Sequence, residues 1–389
     1  IYMMRYSSIR ERVRNRQMTG VSSSDAKGPV PFLEAKASVS SKFRIADAYL
    51  DPQDIATFVV TPEPAKGKFL ALVDELSVRN LVPTLRFEEG KLVIRVFPKP
   101  RPKPTRPLLN LALFAATIAT VFVTGLVLWE GSVVQREVLM PDANVNLQVG
   151  LFVLSLLGIV GLHEIGHKIA CEAHGMDSTM PYFVPGIPPT GTFGAVISLR
   201  SPPRNRDALF DLGISGPLVA FVSLLIVTIL SIQAAYLVPM GQALLWNKLK
   251  LAQPASWPEY PFLFDLLIPI VRPYPRGFAL FFTQIEFAAW VGSLISYLNL
   301  LPIWQLDGGH LSRALFGPKG HKITSYLGLA VMAISGFWAF ALLLFIMMSA
   351  SGRGLSGVAP LDDWSPISTS RKLLYGIVIV MIMILFVKL

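Results

Sequence analysis

Cysteine is almost absent from this chain, with Cys171 standing alone. That excludes an intrachain disulfide and a cysteine-rich metal site, so any bound metal must be held by histidine and carboxylate. Charge is scarce as well: 15% of residues are charged, against about 25% in soluble proteins. With 52% hydrophobic residues and a mean hydropathy of +0.53, an ordinary soluble enzyme is excluded and a polytopic membrane protein is expected. Acidic residues are the scarcer sign, 25 against 35 basic, for a net charge of +10. The basic excess gathers in the N-terminal tail and beside the ends of apolar runs. That placement fits orientation in a lipid bilayer better than a nucleic-acid partner, and no nucleic acid is expected.

Residues 1–43 are polar and rich in Ser and Arg (Arg5, Arg10, Arg12, Arg14, Arg16) with little periodic apolar spacing, which predicts a disordered basic tail. An organellar transit peptide has the same composition. Residues 44–97 carry an apolar run at Ile55–Val60, a helical pattern at Phe69, Leu72, Val73 and Leu76, and two strand-like runs flanking Glu89-Gly90. They predict a small cytoplasmic β-α-β-β domain, α+β in class, without a catalytic cluster and hence suited to docking or regulation. Residues 98–107 alternate proline with Lys99, Arg101, Lys103 and Arg106. This composition favours extended polyproline II and makes a stiff basic linker at the membrane surface.

From 108 to 389 the chain is predicted to be a transmembrane domain. Apolar stretches near 108–129, 147–171, 208–237, 278–301, 323–348 and 373–389 predict about six transmembrane helices, each near the roughly 20 residues that a crossing needs. Phe262–Val271 is too short to span and is expected to lie along the interface or fold back. Basic residues at the start of the first span, at Arg200, Arg204 and Arg206, and at Arg313, Lys319 and Lys322 place those ends in the cytoplasm. Lys248, Lys250, Arg272 and Arg276 fall on the opposite side and weaken the bias.

The chemistry starts at His163-Glu164-Ile165-Gly166-His167, inside the second apolar run. Residues four apart share a helix face, so both imidazoles can present to one ion while Glu164 approaches a water as a base. A catalytic zinc ordinarily takes three protein ligands, so a third is sought. His174, His310, His321 and a few acids are available. A lone acid in a bilayer is costly and functional by default, which makes Asp307 the best candidate; it closes Asn299-Leu300-Leu301-Pro302-Ile303-Trp304-Gln305-Leu306-Asp307-Gly308-Gly309. Parity agrees. The histidines end the second span and Asp307 follows the fourth, with one crossing between, so both reach the same leaflet.

At these residues the chain resembles the site-2 protease family of intramembrane zinc metalloproteases, peptidase family M50. Its two hallmarks are HExxH and a later N-x-x-P-x-x-x-L-D-G type motif. The resemblance covers about 147–315. It implies that His163, His167 and Asp307 bind one Zn2+, that Glu164 is the base, and that Asn299 contacts the substrate or the developing oxyanion. It also implies that Gly191-Thr192-Phe193-Gly194, after a proline-broken stretch, forms a re-entrant strand or hairpin near the metal. An edge there would pair with an unwound substrate segment. Unlike some relatives, the chain shows no inserted PDZ-sized domain between the second and third spans.

The expected function is therefore intramembrane zinc endopeptidase. It would cleave transmembrane protein substrates in a membrane, with its site toward the cytoplasm; a prokaryotic cell membrane is expected, and an organellar membrane is the alternative. The alternative is a metal-binding membrane transporter, which the absence of a second copy of either motif disfavours. An inactive scaffold is disfavoured by the intact Glu164. Gly213-Ile214-Ser215-Gly216 resembles the GxSG of intramembrane serine proteases, but small residues at this spacing are read as helix packing. His174, His310 and His321 are assigned no chemistry.

Overall fold

The computed structural model describes residues 32–100, 106–249, 251, 260–351 and 357–386. Most of the expected tail, 1–31, and the middle of the linker, 101–105, lie outside the described residues. Helix α1 (Phe32–Ser40) falls inside the stretch expected to be disordered. Its Ala35 and Val39 are buried in the core of the domain that follows, and this burial, invisible in local periodicity, is what orders it.

That domain contains β1 (Ile45–Leu50), β2 (Ala56–Val60), α2 (Lys66–Val78), β3 (Leu81–Glu88) and β4 (Lys91–Pro98). The sheet runs β1-β2-β4-β3 with antiparallel neighbours. Phe58, Phe69, Leu72, Leu76, Leu85 and Ile94 fill its core. Glu89 and Gly90 both take positive φ, 50° and 78°, as a two-residue hairpin whose twist matches its strands requires. The sequence missed β1, an edge strand with most of its side chains exposed and no alternating apolar pattern to betray it.

Beyond the linker come α3 (Pro107–Gly131), α4 (Val145–Ala173), the hairpin β5 (Tyr182–Pro185) and β6 (Thr192–Val196), and α5 (Arg206–Ala234). Then follow β7 (Tyr236–Pro239), α6 (Met240–Lys248), α7 (Phe262–Val271), β8 (Phe278–Phe281), α8 (Gln284–Leu300), α9 (Asp307–Met332), α10 (Trp338–Ala350) and α11 (Thr369–Ile384). Proline at the first position starts α3. Asn144 and Asn205 cap α4 and α5, accepting from Leu147 N at 3.2 Å and from Ala208 N at 2.8 Å, and each cap satisfies a backbone donor that the helix leaves free. Phe152, Leu156, Phe210, Leu224, Phe287 and Tyr297 belong to the shared core.

Among the described residues four helices are long and apolar enough to cross a membrane: Pro107–Gly131, Val145–Ala173, Arg206–Ala234 and Asp307–Ala350. The expected count of about six is not reached by this measure. Residues 278–281 pair with β7, which shortens the fourth expected span to the 17 residues of α8. The last, α11, has 16. The expected span near 323–348 is not a separate helix. It continues from Asp307 through a kink at Gly317 (φ 69°) and a π-helical turn at Ala333–Phe337.

The arginines read as a topology signal are engaged within the protein. Residues 357–368 form a strap between the N-terminal domain and the membrane helices. Leu85 N donates to Leu361 O at 2.8 Å and Asp363 N donates to Leu85 O at 3.2 Å, so the strap pairs with the edge of β3. Arg86 donates to the carbonyls of Pro360 and Leu361, each at 2.7 Å, and the ring of Phe87 stacks on Trp364 with centroids 4.6 Å apart. Burial lowers the Arg86 pKa from its ordinary value, with Asp363 opposing the shift. On its other side the strap holds α9: Arg313, 2% exposed, makes a two-pronged contact to Asp363 at 2.9 and 2.6 Å. Arg204 reaches Asp74 of α2 at 2.7 Å, and Lys66 reaches Asp207 of α5 at 2.5 Å.

Removing one member of a buried pair leaves the other charge unmatched, at a cost of about 3–5 kcal/mol. Arg313→Ala is therefore expected to release the strap. Amide hydrogen exchange at Leu85 and Asp363 should rise towards the rate of exposed backbone, while the interior of α4 stays protected. Unchanged protection at Leu85 would show that the strap does not depend on this pair.

Candidate metal centre

The centre is assembled from three helices. On α4, His163 and His167 lie one turn apart and face the same way, and both are buried, as is Glu164. Asp307 opens α9, immediately after the non-helical stretch that follows α8. Its Oδ2 lies 3.1 Å from His163 Nε2 and its Oδ1 lies 3.3 Å from His167 Nε2. The two Nε2 atoms are 3.1 Å apart. Neighbouring ligands on a tetrahedral zinc with bonds of about 2.0 Å are about 3.3 Å apart, so these donors have the spacing that a single ion demands. Two imidazoles and a carboxylate also form a donor set that zinc accepts.

Surrounding groups orient these side chains. His167 Nδ1 donates to the Leu212 carbonyl on α5 at 2.8 Å, which fixes the tautomer and leaves the Nε2 lone pair directed at the centre. Glu164 lies in the same cluster as the two histidines, and its Oε2 accepts from Ile197 N at 2.8 Å. One carboxylate oxygen is thus held by the backbone just past β6. Neither the Leu212 carbonyl nor the Ile197 amide has any sequence signature, since every residue carries both groups.

The glycines of Gly213-Ile214-Ser215-Gly216 do more than pack helices. An ideal Cβ on Gly166 would stand 2.5 Å from Ser215 O, and one on Gly213 would stand 2.8 Å from Asp307 O. A Cβ on Gly216 would overlap the His167 ring at Nε2. Only hydrogen fits at these positions, and the backbone of α5 lies directly behind the centre.

The structure does not bring the other expected site residues equally close. Gly191-Thr192-Phe193-Gly194 lies in the β5–β6 hairpin, anchored to α3 by Thr120 Oγ1 donating to Gly191 O at 2.8 Å. Gly191 packs against Val121 and Thr124, and buried Thr192 donates to Val184 O at 2.9 Å within the hairpin. Phe193, 71% exposed, faces outward. Asn299 is half-buried on the last turn of α8, and its side chain makes no hydrogen bond among the described residues. His174 pairs with Asp211 at 2.8 Å, and His321 Nδ1 bonds Ser312 Oγ at 2.7 Å; both are engaged in packing the helices.

Gly216→Ala is expected to displace the His167 ring, reducing metal content by elemental analysis to near zero while helical circular dichroism persists. Gly150→Ala, on the same helix as His167 and with open space at its Cβ, should leave metal content unchanged. Full metal content in Gly216→Ala would refute the close approach.

Residues 151–343 match Peptidase family M50. Curated relatives include the probable zinc metalloprotease EGY2, chloroplastic, of Oryza sativa subsp. indica, 28% identical over 255 residues, covering 64% of this chain and 45% of the relative. The probable zinc metalloprotease EGY1, chloroplastic, of Arabidopsis thaliana is 25% identical over 259 residues, covering 64% and 44%. The Arabidopsis thaliana EGY2 protein is 23% identical over 307 residues, covering 77% and 52%. The chain thus spans about half the length of the curated relatives it matches. No solved structure matches. The two histidines, the buried glutamate and the aspartate that converge here all lie inside the matching segment, which makes residues 151–343 a peptidase family M50 segment.

Proposed function

We propose that the chain is an intramembrane zinc endopeptidase acting on the membrane-spanning segments of other proteins. The observation that carries this reading is the convergence of His163 Nε2, His167 Nε2 and the Asp307 carboxylate at separations of 3.1–3.3 Å. In this reading those three residues hold the ion. Zinc bound there supplies a Lewis acid for the scissile carbonyl and makes hydroxide available near neutral pH.

The chain's own residues do the rest. With Oε2 held by Ile197 N, Glu164 takes a proton on its other oxygen from the attacking water. It then delivers that proton to the departing amide nitrogen as the C–N bond breaks, so one water is consumed and an acid and an amine are released. A helical substrate hides its carbonyls in its own hydrogen bonds and must unwind to be cut. β6 belongs to a two-stranded sheet and among the described residues has only β5 as a strand partner, so its other edge offers backbone groups to an extended segment. Of the hairpin residues Phe193, exposed at 71%, is assigned to that contact, because Gly191 and Thr192 are committed to α3 and to the hairpin and Gly194 N donates to Thr192 Oγ1 at 3.0 Å. Asn299, one helix end away from Asp307, is assigned to substrate contact.

Six crossings are proposed, with α8 and α11 counted. α8 begins beside β8, which pairs with β7 at the end of α5, and it ends beside Asp307, which meets the C-terminal part of α4. It therefore traverses the same depth as α4 and α5. The chloroplastic names of the relatives support an organellar rather than a prokaryotic membrane, with the centre on the side of the N-terminal domain.

The test uses the full chain in detergent with a model transmembrane peptide. Cleavage is expected to stop with chelator and to return with added zinc. Glu164→Gln should lower the rate by about 10²-fold or more while keeping one equivalent of metal, whereas Asp307→Ala should lose the metal as well. Undiminished cleavage by Glu164→Gln would rule out its role as base, and cleavage insensitive to chelator would rule out the metal reading.

A further inference from the structure

At the end of α8 remote from Asp307 lies a cavity of about 360 Å³ that the proposed proteolysis does not use. Gln135, Tyr260, Phe281, Thr283, Gln284 and Glu286 are among its lining residues. Glu286 stands 14 residues before Leu300 on α8, which puts it about 20 Å along the helix from the metal-bearing end. Its volume falls within the range of about 300–1,000 Å³ seen for small-molecule sites.

Among the described residues three acceptors in this cavity lack partners. Among the described residues Glu286 has no ion pair or side-chain hydrogen bond, although a carboxylate at membrane depth is costly and is ordinarily paired. Gln284, 5% exposed, donates its amide to Gly125 O at 3.0 Å, and its Oε1 has no partner. The Thr283 hydroxyl, 6% exposed, is likewise unpartnered. Buried polar groups are otherwise almost always hydrogen-bonded, so two such acceptors beside the half-buried Glu286 carboxylate mark a place built to receive donors. Part of the wall is aromatic: Tyr260, Phe281 and Phe282 line it, with the Tyr260 and Phe282 ring centroids 5.3 Å apart.

We propose that this cavity binds the primary ammonium group of an amphiphilic amine, with Glu286 as its counter-ion. An ammonium offers three donors and no acceptor, which complements a carboxylate, an amide oxygen and a hydroxyl. Aromatic faces favour an organic cation, and one carboxylate is too few for a calcium ion, which takes 6–8 oxygen ligands. The apolar walls, Leu128, Leu244 and Leu280 among them, accept the alkyl part. An aminophospholipid headgroup and a soluble alkylamine share this chemistry.

The proposal is tested on the full chain in a neutral maltoside detergent by isothermal titration with n-octylammonium, with n-octanol as the uncharged comparison. One saturable site for n-octylammonium is expected, with affinity reduced about tenfold or more by Glu286→Gln, as loss of a charge-assisted hydrogen bond implies. Ala243→Trp, which adds bulk at the cavity wall, should abolish binding and serves if Glu286→Gln does not fold. Repeating the titration in nanodiscs separates the sources. Weaker binding in phosphatidylethanolamine than in phosphatidylcholine identifies the lipid headgroup as the occupant, and equal binding identifies a soluble amine. Metal content should be unaffected by either substitution. Binding of n-octylammonium that is unchanged in both variants, or no tighter than that of n-octanol, overturns the proposal.

Discussion

The metal centre depends on how closely α4 approaches α5. At Gly166 the helix comes so near Ser215 O that a methyl group would stand 2.5 Å from it, and at Gly216 the space that a methyl would take is occupied by the His167 ring. Little hydrophobic force holds helices together in lipid, so such contacts rely on small residues and on hydrogen bonds between helices. Here the two combine. The approach brings the Leu212 carbonyl within 2.8 Å of His167 Nδ1, that bond sets the tautomer, and the tautomer turns the second ring nitrogen toward Asp307. Gly213 does the same for the third ligand position, since Asp307 O lies against it. A methyl group at any of these points disturbs a chemical group and not merely the packing.

A second consequence concerns charge. Arginines beside helix ends are commonly read as markers of the cytoplasmic side, and Arg204, Arg206 and Arg313 stand where that reading wants them. Their partners show a further use: Arg204 meets Asp74, Arg206 meets the carbonyls of Ala314 and Leu315, and Arg313 meets Asp363. Together with Lys66 and Arg86 they fasten the N-terminal sheet, the strap at 357–368 and the first turns of α5 and α9 into one contiguous contact. The Asp307-bearing helix and the N-terminal domain therefore touch the same strap.

Local pattern made part of this legible. His163, Glu164 and His167 are readable because helical spacing alone puts them on one face, and the Glu89-Gly90 hairpin is readable because two positive φ angles demand such residues. Asp307 was legible because an acid in an apolar chain is costly. β1 left no pattern, being a mostly exposed edge. The ordering of α1 and the merging of 307–350 into one kinked run also escaped, because each depends on partners distant in the chain or on one glycine's φ. Gly213 and Gly216 read from the sequence as packing residues, but no local pattern reveals the Asp307 carbonyl and the His167 ring that they accommodate.

The sequence by itself determined the class of the protein, the donor types available to a metal, and the two motifs that meet in the fold. These follow from composition and from the geometry of an isolated helix, which every residue obeys wherever it lies. Only the tertiary structure decided that Leu212 O and Ile197 N hold His167 and Glu164, that the strap joins β3 to α9, and that Glu286 lines a cavity with no partner among the described residues. Backbone donors and acceptors are identical in every residue, so which of them meets a given side chain is settled by packing alone.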